Sequence, residues 1–170
     1  CERYWSKTGS FDTVSHYLRL NYKGVREDVS SMVAGTDCKV EDARFSRDIN
    51  DIRTKNDVLS VLIHLGYLAY DRDTQTCHVP NYEVSEELRY AVEDCEYTEV
   101  MRAIKASDQL LDDLLHLDEE AVARGIEAVH QETSSLWDYN NEKSLTCVIN
   151  LAFYTARDKY RIIREFPTGR

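Results

Sequence analysis

Apolar residues recur at intervals of three and four along most of this chain, the spacing required by helices with one buried face. It is legible in Val14, Tyr17 and Leu18, in Val58, Leu59, Leu62, Ile63 and Leu65, and in Val100, Met101 and Ile104. It returns in Leu110, Leu111, Leu114 and Leu115, in Val122, Ile126 and Val129, and in Leu145, Val148, Ile149, Ala152, Phe153, Ala156 and Tyr160. Six Gly and two Pro in 170 residues leave little material for linkers or for a turn-rich all-β fold. The expected class is mainly α with minor β, in one compact domain or two small ones. The aliphatic stripes are read as core.

Local signals place the elements. Ser10 or Asp12 caps a first helix, and a short helix from about Arg26 to Ala34 ends at Gly35. Cys38 to Phe45 alternates in polarity and reads as a short strand with Val40 inward. Thr54 or Asn56 caps a helix that Gly66 stops at Leu65. Tyr67–Tyr70 and Thr76–Val79 read as strands joined by the polar turn Asp71–Gln75. Pro80-Asn81 closes this hairpin, and Val84, Leu88 and Val92 give the next helix its core face. Helix, strand, helix, hairpin, helix is the order of a winged-helix module. The last helix is expected from Glu142 to about Lys159, capped by Asn140 or Asn141. A strand from Tyr160 to Phe166 follows, and Pro167-Thr168-Gly169-Arg170 turns toward a partner strand. An unpaired strand exposes a row of backbone donors and acceptors, so the chain is expected to be an internal piece of a larger protein. The absence of an initiator Met ahead of Cys1 points the same way.

Charge is unevenly distributed. The net charge is −10, which disfavours a free-standing nucleic-acid binder. Residues 1–53 balance nine basic against nine acidic side chains, 54–95 carry three against eight, and 96–140 three against eleven. Residues 141–170 reverse the sign, with six basic against three acidic. Five cysteines at wide, irregular spacing form no C-x-x-C pair and no Cys/His quartet, so reduced, mostly buried thiols in a cytoplasmic protein are expected. The longest apolar stretch, Val58 to Tyr70, is interrupted by His64 and Gly66 and is too short to span a bilayer.

Glu142 is the most suggestive single residue. It precedes Leu145 by three and Ile149 by seven, so it shares their side of the helix, expected to face inward. A carboxylate there must be paired, bound to a cation or placed at a cavity edge. The alternative is structural, because an acid in the first helical turn is favoured by the helix dipole and needs no function. A groove-reading role for the winged-helix order is opposed by Glu83, Glu86, Glu87, Glu93 and Asp94, with only Arg89 against them. His64 reads as a core histidine, and His116 and His130 as exposed ones. No nucleophile elbow, Gly-rich phosphate loop or H-E-x-x-H is present, and the acids at Asp112-Asp113 and Asp118-Glu119-Glu120 lack EF-hand spacing.

Several stretches resemble bacterial AAA-ATPase-like proteins that carry a C-terminal domain of the PD-(D/E)XK nuclease superfamily. They are Tyr4-Trp5 with Thr8-Gly9-Ser10-Phe11-Asp12, Lys55-Asn56-Asp57-Val58-Leu59 leading to Leu62-Ile63-His64-Leu65-Gly66-Tyr67-Leu68, and Val79-Pro80-Asn81-Tyr82-Glu83-Val84. Tyr139-Asn140-Asn141-Glu142-Lys143-Ser144-Leu145 and Arg164-Glu165-Phe166-Pro167-Thr168-Gly169-Arg170 complete the set. The resemblance implies that residues 1–50 are the C-terminal lid portion of an ATPase-like domain and 51–95 a winged-helix-like connector. Residues 96–170 would be the helical N-terminal part of a nuclease-like domain, truncated in its β element. It further implies a parent that uses ATP and Mg²⁺ and acts on nucleic acid. Glu142 would be its helix-borne catalytic and metal-binding acid, with Lys159, Arg161 and Arg164 flanking a phosphate backbone. The remaining acids and the Lys of that active site would lie past Arg170, so this chain alone is expected to be inactive and to hold no cofactor. The rival expectation is a helical protein-interaction scaffold with a degenerate nuclease-like fold, taking a protein partner or a strand-completing subunit.

Overall fold

A computed structural model describes residues 9–40, 52–137 and 141–163. Among these residues the chain is mainly helical with a small antiparallel sheet, as its spacing predicts. The helices are α1 (Gly9–Arg19), α2 (Val25–Val33), α3 (Lys55–His64), α4 (Tyr82–Asp94), α5 (Thr98–Leu115), α6 (Glu119–Glu132) and α7 (Glu142–Ala152). A 3₁₀ turn follows at Tyr154–Asp158, and the strands are β1 (Cys38–Lys39), β2 (Ala69–Asp71) and β3 (Thr76–His78). None of these helices is long and apolar enough to cross a membrane.

The boundaries follow from local chemistry. Thr54 Oγ1 accepts from Asp57 N at 3.3 Å, and Asp57 Oδ2 accepts in return from Thr54 N at 2.8 Å, a reciprocal box that starts α3. Burial, the largest single influence on the Asp57 carboxyl, pushes its pKa up. The bonds from Thr54 and the Arg53 N–H outweigh it and hold the carboxyl below its ordinary value. Asn81, Asp118 and Asn141 cap α4, α6 and α7 through side-chain oxygens that accept from Val84, Ala121 and Ser144 N–H. Gly66, at φ 80°, takes the left-handed conformation that ends α3.

The hairpin forms between β2 and β3, with Tyr70 opposite Cys77, and β1 joins its free side, placing Cys38 opposite Cys77. The sheet order is β1-β3-β2, and the element order α2, β1, α3, β2, β3, α4 is the expected one. Val40 is buried just past β1, while the remainder of the expected strand, 41–45, lies outside the described residues. A second layer is a bundle of α5, α6 and α7. One apolar cluster runs through both layers, from Val14 and Leu18 through Leu59, Leu62 and Leu88 to Val100, Val148 and Leu151.

Several expectations need correcting. Leu114 and Leu115 are exposed rather than core, because they line an open cleft instead of packing against a neighbouring helix. His64 is also exposed, since the buried side of α3 is Val58, Leu59, Val61 and Leu62, and position 64 lies off that side. His116 is exposed as expected, whereas His130 is half-buried beside the buried Val129. The last α-helix stops at Ala152 rather than near Lys159, and the chain tightens into the 3₁₀ turn. Residues 160–163 belong to neither helix nor strand, and 164–166 lie outside the described residues.

The bundle also depends on one close approach. A Cβ added at Gly125 of α6 would stand 2.3 Å from Leu110 Cδ1 of α5, and Leu110 is only 4% exposed. Gly125→Val therefore pushes the Leu110 side chain from its buried seat and lowers stability by about 1–3 kcal/mol. Thr54→Ala, which removes the α3 box, costs about 1 kcal/mol. Chemical denaturation of both variants measures the two values. The contribution of the Asp57 carboxylate is present above its ordinary pKa of about 4 and fades as pH falls below that value.

Candidate functional site

Asn141 starts α7, and its Oδ1 accepts from Ser144 N at 2.8 Å and Ser144 Oγ at 3.0 Å. Glu142 is thereby the first helical residue, with its side chain in solvent. It does share a side with Leu145 and Ile149, but that side faces outward, the two being 58% and 37% exposed. The inward-facing expectation is overturned. The buried residues of α7 are Ser144, Cys147, Val148, Asn150, Leu151 and Ala152. The apolar arc of α7 is wider than the contact it makes, so spacing alone selects two neighbouring stripes and packing buries one.

Lys159 and Arg161 are exposed, and Arg164 lies outside the described residues. Glu142 opens α7 while Lys159 follows its far end. Ten residues of helical rise put roughly 15 Å between the first and last turns, so acid and bases do not converge on one centre. The neighbouring Lys143 turns inward, its Nζ donating to Cys38 Sγ at 3.6 Å. The described residues contain no group of three or more His, Cys, Asp or Glu placed to hold a metal ion. Mg²⁺ takes six oxygen ligands in near-octahedral geometry, and a single carboxylate at Glu142 does not fit that requirement.

An apolar cleft of about 260 Å³ lies between the end of α5 and the α7–3₁₀ segment. Leu111, Leu114 and Leu115 form one wall, Ile149 and Phe153 the other, and Tyr160 and Ile162 overhang it. A second hollow of about 310 Å³ adjoins it, bounded by Gly35, Asn150, Arg157, Tyr160 and Ile162. Asn150 belongs to both walls. It is 4% exposed, and its Nδ2 is buried without a hydrogen-bond partner. An unpaired buried amide of this kind costs about 1–3 kcal/mol. Arg157 is anchored in the same wall, donating to Val33 O at 2.9 Å and to Ala34 O. Sequence reasoning treated Arg157 only as one of the basic residues near the C-terminus and passed over Asn150. The signal for Asn150 is an amide set between Ile149 and Leu151 in an otherwise apolar run.

Comparison of the chain with protein-family models, with curated proteins and with solved structures finds no match.

The buried thiols are the other chemically distinctive group. Cys38 and Cys77 face each other across β1 and β3, both fully buried. Cys77 Sγ lies 3.6 Å from Met32 Sδ, and Cys147 Sγ lies 3.2 Å from Thr36 Oγ1. Burial, reinforced by the nearby Asp28 carboxylate, pushes the Cys38 and Cys77 thiols up to about 12, with Lys143 pulling weakly the other way. A thiol held protonated is neither nucleophile nor ligand at neutral pH. These side chains are core, not chemistry. At about pH 8, alkylation leaves Cys38 and Cys77 unmodified in the folded protein and modifies both after denaturation, as peptide mass mapping will read. Their contribution to stability is full below the ordinary thiol pKa of about 8.5 and is lost as pH rises toward 12.

Proposed function

We propose that this chain is a non-catalytic connecting segment of an ATPase-linked, metal-dependent nuclease-like protein that acts on nucleic acid. The observation that carries this reading is the position of Glu142, a lone carboxylate held in solvent at a capped helix start. That placement suits an acid completing a metal site from one side while further ligands come from other chain. Glu142, fixed by the Asn141 cap, does not hold Mg²⁺ alone, and the longer protein would supply the other ligands.

The α2–α4 region supports a connector rather than a reader of nucleic acid. Its element order and β1-β3-β2 sheet suit a winged-helix-like module. Its last helix, though, presents Glu83, Glu86, Glu87, Glu93 and Asp94. Arg89 is engaged by Glu86 at 3.0 Å and Glu93 at 3.8 Å. Such a surface repels phosphate. The interaction-scaffold reading draws on a different feature, the exposed apolar cleft, and a cleft of that kind marks a contact surface.

The purified 170-residue chain is expected to leave plasmid DNA intact in the presence of Mg²⁺. Degradation that disappears on Glu142→Gln would overturn the reading. In the longer protein, Glu142→Gln is expected to abolish metal-dependent cleavage with no change in thermal melting. The gene provides the second arm. An Asp soon after Arg170, then an acid-x-Lys on an apolar strand, supports the nuclease-like assignment, and their absence leaves the scaffold.

A further inference from the structure

We draw no further inference here: the strongest candidate, the apolar cleft between the end of α5 and the α7–3₁₀ segment, is a face of exposed apolar side chains, and nothing among the described residues shows what covers it.

Discussion

The two layers of this fold are tied by a buried-facing cation that ends a helix. The Arg157 guanidinium, on the 3₁₀ turn, donates to the last carbonyls of α2, Val33 O and Ala34 O. Those carbonyls have no partners within their own helix and carry its negative end. A charge-assisted hydrogen bond contributes about 1.5–3 kcal/mol, and here it joins residues 123 and 124 positions apart. The Tyr154 ring lies 4.8 Å from the same guanidinium, so its position is fixed from the other side too. Trp137 Nε1 adds a bond to Ser31 Oγ at 2.9 Å, and Thr36 meets Cys147. The α2–β1 region is thus docked on α7 by polar contacts set within a shared apolar core.

Packing against α5 and α6 decides which side of α7 is inside. With Cys147, Val148 and Leu151 buried, and Cys147 meeting Thr36, Leu145 and Ile149 are left outside with Glu142 at their head. The exposed stripe, the end of α5 and residues 160–162 together make the cleft. The packing that buries one side of α7 thus leaves the other to line the cleft on which the scaffold reading rests.

The electrostatics of the chain divide in the same way. Along α4 and α6 the acids are solvated, paired within the helix as in Arg89–Glu86 and Arg124–Glu120, or paired across elements as in Arg19–Asp94 and Arg102–Glu132. The exposed pairs among them contribute little to stability. The exposed Lys159 and Arg161 follow the far end of α7, roughly a helix length from Glu142. An acid and a cationic flank so separated do not form one catalytic centre by themselves, and any metal chemistry at Glu142 draws its other ligands from elsewhere.

Helix identity was legible in the amino-acid sequence, because a three-four spacing and a capping side chain are local properties. Thr54 with Asp57, Asn81, Asp118 and the Gly66 stop act within a few residues of themselves. The hairpin was equally plain from its polar turn. What spacing could not reveal was which of two adjacent apolar stripes on α7 is buried, or that Leu114 and Leu115 stay exposed. Nor could it place Arg157 on the end of α2 or leave Asn150 without a partner. Those outcomes depend on contacts between residues distant in sequence, Arg157 and Val33 being 124 positions apart. Periodicity records that a helix has an apolar side, and only packing decides what lies against it.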